Sequence, residues 1–441
     1  MLIANWGNYP KIEATVKDIR ARVELKTALD TLGPCIARGL GRSYGDASLA
    51  KNIISLNKLH HFLSFDEATG ILDCEAGTSL EEILAVFVPR GWFLPVTPGT
   101  KFVTVGGAIA ADIHGKNHHK EGTFSDHLES LRIHTGNQLE LECSRENHPE
   151  LFRATCGGMG LTGVITSTRI RLKPVNSAYI RQTTHRARDL TAIFKLFEKY
   201  QEVTYSVAWI DTLAKGKNLG RSILLLGEHA QAQELSSHQQ QHPLALKTKG
   251  NKTVPFFFPN FTLNPWSIRS FNFCYYHSHR GKGKKTLVDY EKFFYPLDSL
   301  NHWNRIYGKR GFLQYQMVLP LEQANEGMVQ ILEKIAQFKR GSFLAVLKLF
   351  GRANENYLSF PMKGYTLALD FPITKGVFPF LKELDQIVLK YGGRIYLAKD
   401  ARMEASVFRE TYPLLENFLK VKRKHDPERR FTSLQSQRLE I

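Results

Sequence analysis

His114, Lys116, His118 and His119 close the segment PGTKFVTVGGAIAADIHGKNHHKEG, residues 98–122 of a 441-residue chain. Imidazoles and an ammonium this close together could hold a metal, move protons on and off a substrate hydroxyl, or bind an anion. The zinc option needs His114 and His118 one helical turn apart. Gly115 between them, and the lack of a nearby Cys or Glu ligand, argue against it, so no metal site is expected. A lone imidazole also has a plain structural use as a hydrogen-bonded core or surface group, and this applies most to His118 and His119. His114 and Lys116 are the candidates for handling a substrate hydroxyl proton or contacting a phosphate.

The residues before these groups are small, and two other stretches share that character: RGLGRSYGD, Arg38 to Asp46, and CGGMGLTGVIT, Cys156 to Thr166. Successive glycines let backbone N–H groups converge on an anion, and arginine adds a charge-assisted donor. Three such loops in the first 175 residues exceed what turns require. Together they suit an extended ligand with a diphosphate and a flat ring. Further along, Lys399 ends the apolar run RIYLA and reads as a cation at the end of a buried strand. Gln314 and Gln316 flank Tyr315 on a strand-like run, so they share one face.

The elements that must hold these groups fall into two textures. Residues 1–175 alternate short β-like runs (CIARGLG, NIISL, GILDCEAG, LRIHTG, GVITSTRIRLKP) with short helical patterns such as SLEEILAVFVPRG, where Ser79 is the N-cap. No G-x-G-x-x-G opens a helix after a first strand, so the usual dinucleotide fold is not indicated. From 176 the strand-like runs TYSVAWID, SILLLGEH, GFLQYQMVLP, FLAVLKLFG and YTLALDFPI alternate with amphipathic helical runs. That pattern predicts a second α+β domain with helices over an antiparallel sheet. The polar stretch at about 229–253 reads as a mobile loop. The aromatic stretch VPFFFPNFTLNPWSIRSFNFCYYH after it reads as an apolar ligand surface, as a membrane-facing edge, or as core.

Composition narrows the classes. The length favours two domains. A net charge of +17 says the surface attracts anions without saying which. No run of apolar residues is long enough for a transmembrane helix, and the start has no secretory signal pattern. The five cysteines are scattered, without C-x-x-C, as expected of buried free thiols in a reducing compartment. A nucleic-acid-binding module would need aromatics interleaved with arginine, or a helix-turn-helix, RRM or zinc pattern, and none is present.

R-G-x-G-x-S, then P-G-T-x-x-x-T-V-G-G-A-I-x-x-x-x-H-G, then G-G-M-G-L-T-G-V-I-T with a terminal L-K-P resemble the FAD-binding domain of the vanillyl-alcohol oxidase / p-cresol methylhydroxylase superfamily. Within it, ARGLGRSYGD, TVGGAIAADIHGKNHH, VAWID, FFYPLD, WNRIYGKRGFLQYQ, KLFG, DFPI and GGRIYLAKDAR are similar, in order and over nearly the whole chain, to the decaprenylphosphoryl-β-D-ribose 2′-oxidase family. The resemblance implies a two-domain α+β fold: an FAD-binding PCMH-type domain at 1–175, an antiparallel-sheet substrate domain covered by helices at 176–393, and a C-terminal segment, 394–441, returning to the first domain.

It also implies roles. FAD would lie against Arg38, Gly39, Gly41, Arg42, Ser43, Tyr44 and Gly45 of the first loop. In the second it would meet Pro98, Gly99, Thr100, Thr104, Val105, Gly106, Gly107, Ala108, Ala111, His114, Gly115 and Asn117. Gly157, Gly158, Gly160, Gly163, Val164 and Ile165 of the third, with Tyr396 and Lys399, would complete the cofactor set. Covalent members commonly place a flavin-linking His where this chain has Arg42, so the FAD is expected to be non-covalent. The implied chemistry is hydride transfer from a secondary carbinol, with Lys399 as the cation near the N1 and C2-carbonyl end of the flavin. His114 joins Lys399 as a catalytic candidate. Lys116, Trp209, Arg305, Gln314, Gln316, Lys348, Phe350 and Ala368 would line the sugar pocket. Ala368 departs from the mycobacterial pattern, which has there the Cys attacked by covalent nitroaromatic inhibitors.

The substrate implied is a polyprenyl-phosphoryl pentose oxidised at its 2′-OH as the first half of an epimerisation, a step of arabinose supply to the cell wall. A separate NAD(P)H-dependent reductase would complete it, with a cytoplasmic location and peripheral contact at the inner membrane. The alternative is a sugar, alditol or aldonolactone oxidase using oxygen.

Overall fold

The computed structural model describes residues 1–246, 250, 252–259, 262–279, 283–339 and 341–441. The first part of the chain builds two small sheets. Thr15–Asp18, Asn52–Ser55 and Cys35–Arg38 form a parallel three-stranded sheet in that order. Glu140–Cys143, Leu128–Thr135, Gly163–Arg171, Ile71–Glu75 and Phe62–Asp66 form an antiparallel five-stranded one. The helix Leu80–Phe87 starts where the capping box predicts, with Ser79 Oγ accepting from the Glu82 amide and Glu82 reaching back to the Ser79 amide. The glycine-rich loops connect these sheets.

The second part is an antiparallel eight-stranded sheet. Its order is Lys284–Asp289, Tyr179–Ala187, Ser222–His229, Tyr205–Ile210, Ala345–Phe350, Gly364–Pro372, Phe312–Pro320 and Arg394–Ile395. Side chains alternate across each strand. On Gly364–Pro372 the odd positions point to the helices: Tyr365 stacks on Phe194 at 4.0 Å, and Phe371 meets Phe380 at 5.7 Å. The helices Leu190–Lys199, Ala324–Phe338 and Val377–Lys390 cover that side with their apolar stripes. The even positions, Thr366, Ala368 and Asp370, point the other way, toward the glycine-rich loops.

Of the loop expected at 229–253, residues 247–249 and 251 lie outside the described residues. The part before them folds as helical turns, Ala232–Glu234 and Ser237–Gln240, tied down by the Ala178 amide on Pro243 O. The aromatic stretch contains the helix Pro265–Ser278, capped by Asn264. The helix has a buried side and an exposed side. Ile268, Asn272 and Tyr276 are buried, while Trp266 and Phe273 are exposed at 76% and 56%.

Two connections set the sheet against the loops. Asp112, fully buried, accepts from Asn354 Nδ2 (2.7 Å), Asn356 Nδ2 (3.0 Å) and Ser359 Oγ (2.6 Å). After the edge strand Arg394–Ile395 the chain turns through Leu397–Lys399 and rejoins the first loop, where Tyr44 N donates to Ala398 O at 3.1 Å. It then pairs Phe431 with Cys35.

Candidate active site

The sheet face turned toward the loops gathers most of the expected substrate residues. Register pairs Gln316 with Ala368, Ala368 with Val346, Val346 with Trp209, Gln314 with Asp370, and Lys348 with Thr366. Paired residues share a face, so Gln314, Gln316, Lys348, Ala368 and Trp209 form one wall. Phe350, two positions beyond Lys348, continues it and packs on His114 and His118, with ring centroids 4.7 and 4.5 Å apart.

His114 is buried between Phe350, Phe360 and Tyr396. Its hydrogen bonding can be read from a carbonyl outward. Met317 O can only accept, so the Thr366 hydroxyl donates to it at 2.8 Å. Thr366 Oγ1 then accepts from Gln316 Nε2 (3.2 Å), which orients the amide, and the same Nε2 donates to His114 Nε2 at 3.0 Å. The proton of the neutral ring therefore sits on Nδ1, a buried atom with no protein partner. Burial first, then Lys348, His118 and Lys399, hold the imidazole well below its ordinary pKa. His114 is thus a neutral donor at Nδ1, rather than the proton acceptor that its residue type alone suggests.

Lys399 lies half-buried with Nζ 4.0 Å from the centroid of the Tyr44 ring. Burial pushes its ammonium down to about 8, opposed by the charge of Asp370. Lys348 is pushed down to about 7 by burial and by Lys399. Two lysines therefore stand together at this face, an arrangement in which a developing negative charge is stabilised.

Other expected residues are committed elsewhere. Lys116 Nζ donates to Phe293 O (2.6 Å) and Phe294 O (3.0 Å), capping the helix Tyr290–Phe294. Arg305 Nη1 donates to Val254 O and Pro255 O, both at 3.0 Å, away from the sheet face. Arg38 binds Ala4 O, Ser48 and Asn5, so its guanidinium secures the N-terminal strand. His118 Nδ1 accepts from the Gly351 amide, and His119 Nε2 donates to Val203 O. Asn117 Nδ2 holds Pro95 O at 2.7 Å. The alternation of ALDFPI also points to Asp370, which sequence reasoning passed over two positions beyond Ala368. Phe360, stacked on Tyr396 at 4.6 Å, carried no signal of its own.

Opposite the wall, the loops form a cradle without side chains. A β-carbon at Gly39 would overlap Thr104 Oγ1, and one at Gly45 would overlap Asp400 O. Thr104 caps the short helix Val105–Ala110 by accepting from the Gly107 amide. Among the described residues, the amides of Gly39, Leu40, Gly41, Arg42 and Ser43 donate to no protein acceptor. A run of open N–H groups beside a helix start fits a diphosphate, and Gly107 and Ala110 are the small residues this helix leaves open for a flat ring, while the expected contacts Val105 and Ala108 are fully buried beneath them. The residues present therefore fit FAD. Arg42 lies over the Trp6 ring at 4.2 Å, and its guanidinium has no nucleophilic nitrogen to offer a flavin methyl group.

A glycine-lined anion cradle facing a wall that carries two lysines defines a flavin-dependent oxidoreductase. The comparisons agree. Residues 14–144 match the FAD binding domain family, and residues 348–439 match the D-arabinono-1,4-lactone oxidase family. The chain is 36% identical to decaprenylphosphoryl-β-D-ribose oxidase of Mycolicibacterium smegmatis, over 100% of this chain and 97% of that protein. It is 30% identical to an uncharacterised Streptomyces coelicolor protein, over 82% of this chain and 99% of the relative. A putative D-arabinono-1,4-lactone oxidase of Neurospora crassa is 28% identical over 38% of this chain. The chain belongs to the decaprenylphosphoryl-β-D-ribose oxidase family and is an FAD-dependent oxidoreductase acting on sugar hydroxyls.

Proposed function

We propose that the protein oxidises the 2′-hydroxyl of a polyprenyl-phosphoryl pentose with non-covalently bound FAD, and that a separate NAD(P)H-dependent reductase completes an epimerisation. The observation that carries the reading is the convergence of Lys399 and His114, from the surrounding turns, with Lys348 and Gln316 of the sheet face opposite the glycine cradle. FAD, when bound, supplies the hydride acceptor. The residues of the chain supply the rest. Lys399 provides positive charge where negative charge develops. His114 offers its Nδ1–H to an oxygen without changing protonation. Gln314 and Gln316 orient sugar hydroxyls, and Phe350 and Trp209 exclude water. Lys348, a group whose ammonium and amine forms are both accessible near neutrality, is placed to take the hydroxyl proton.

The exposed aromatics of the helix Pro265–Ser278, with Arg269 beside Trp266, support contact with an anionic lipid surface that presents the substrate. Among the described residues no helix is long and apolar enough to cross a membrane. A second reading, oxidation of a free sugar or lactone by oxygen, draws on the lactone-oxidase match at 348–439. Anaerobic bleaching of the flavin by a panel of polyprenyl-phosphoryl pentoses and free sugars and lactones separates the two. Bleaching by lipid-linked ribose alone supports the first reading, and bleaching by free lactones alone overturns it. Sedimentation with anionic vesicles, lost on replacing Trp266 and Phe273 by Ser, tests the surface contact.

A further inference from the structure

We propose that Asp370 is a positioning residue for the oxidation: its carboxylate aims the Gln314 amide and keeps the ammonium of Lys399 charged. The proposal rests on reading Lys399 as the cation beside the flavin. Asp370 is 1% exposed, on the same sheet face as Ala368 and Gln316. Its Oδ1 accepts from Gln314 Nε2 at 2.6 Å and its Oδ2 from Tyr307 Oη at 3.0 Å, while its amide donates to Ser342 Oγ. Both partners of the carboxyl are neutral, and among the described residues no cation pairs with it directly. Burying a carboxylate on those terms is costly, so a purely structural acceptor would be better built from an amide.

The turn that carries Lys399 is tied to the strand paired with that of Asp370, since Tyr396 N donates to Gln316 O at 2.9 Å and Lys399 N to Tyr396 O at 3.1 Å, and Lys399 is the charge that Asp370 feels. The other groups around Lys399 work against its proton or stay silent. Lys348 repels it from the neighbouring strand, and His114 is neutral. Tyr44 and Tyr307 are held protonated by burial, Arg42 lies beyond Tyr44, and the neighbouring carboxylate Asp400 is engaged by Arg438 at 2.9 Å and by the Arg402 and Met403 amides. Asp370 is the carboxylate that counters Lys348. Burial lifts it to about 7 and lowers Lys399 to about 8, so the two titrate as a coupled pair in the working range.

Asp370→Asn tests this in the flavin-loaded protein. Removing the negative charge makes Lys399 release its proton at lower pH. The ¹³Cε resonance of Lys399, assigned with Lys399→Met, should titrate about one pH unit more acidic, and the alkaline limb of flavin reduction should move with it. A Lys399 titration unchanged by Asp370→Asn overturns the proposal. A shifted titration with an unmoved flavin limb keeps the coupling and instead refutes the placement of Lys399 beside the flavin. Should Asp370→Asn fail to fold, the converse decides: in Lys399→Met the Asp370 carboxyl carbon should titrate at higher pH than in the native protein, and an unchanged value overturns the proposal.

Discussion

Replacing Lys399 by Met should make the protein more stable and nearly inactive. Met keeps the length of the side chain and its contact with the Tyr44 ring, and loses the charge. The native ammonium has no hydrogen-bonding partner among the described residues, and burial lowers it from 10.5 to about 8. At about 1.36 kcal/mol per pH unit, holding that charge costs the folded state about 3 kcal/mol. The sign follows from the depressed value. The cost is full below pH 8, where the folded group is charged, and vanishes above 10.5, where neither state is. Lys399→Met should therefore raise the unfolding free energy of the flavin-free protein by up to about 3 kcal/mol at pH 7, and by little at pH 11. Flavin reduction by substrate should fall about 10²–10³-fold, the usual effect of removing one group aimed at developing charge. Denaturant titration at the two pH values and anaerobic stopped-flow reduction make the two measurements. A variant less stable than the native protein at pH 7 would refute the energetic argument. One that reduces its flavin within a few-fold of the native rate would remove Lys399 from the catalytic set.

Acid precipitation should release all flavin colour into the supernatant, because Arg42 stands where a linking His would be; colour retained in the pellet would contradict this. Gln316→Leu strips the donor from His114 Nε2 and frees the ring to change tautomer. It should cost about 1–3 kcal/mol in flavin-reduction barrier or stability, and a variant neutral in both would show that the Gln316–His114 bond has no role.

The fold was legible where periodicity is strong. The alternation in GFLQYQMVLP and YTLALDFPI assigns each residue to a face, and the register of the sheet then brings Gln314, Gln316 and Ala368 together. The glycine loops were legible as a cradle because close approach of backbone leaves few residue types to choose from. Commitments made by long charged side chains were not legible. Lys116, Arg305 and Arg38 have the right residue types for anion binding, yet each is satisfied by carbonyls contributed from elsewhere in the fold, Lys116 by residues more than 170 positions away in the chain. The direction of the Gln316–His114 bond was equally hidden, since it depends on a single carbonyl, Met317 O, that no local pattern reveals.

Ala368 offers the sharpest test of the sheet face. It lies half-buried on the strand Gly364–Pro372, opposite Gln316 on one side and Val346 on the other. A methyl group cannot capture the nitroso species that flavin reduction makes from a nitroaromatic, so the native chain should turn such compounds over without forming an adduct there. The native thiols are poor substitutes. Cys35, Cys74, Cys143 and Cys156 are buried, and burial raises each thiol; Cys35 and Cys143 are pushed up to about 12. Cys274 is exposed, but it lies on the outer side of the helix Pro265–Ser278, in the cleft that also holds Asp211 and Arg269. Ala368→Cys in a Cys274→Ala background should therefore place one accessible thiol on the wall that faces the cradle. Iodoacetamide should modify that residue, substrate should protect it, and nitroaromatic turnover should leave a covalent adduct visible by intact-mass spectrometry. Labelling unaffected by substrate, or nitro reduction without an adduct on the variant, would mean that position 368 does not face the flavin and that the even-numbered side of this strand is not the catalytic wall.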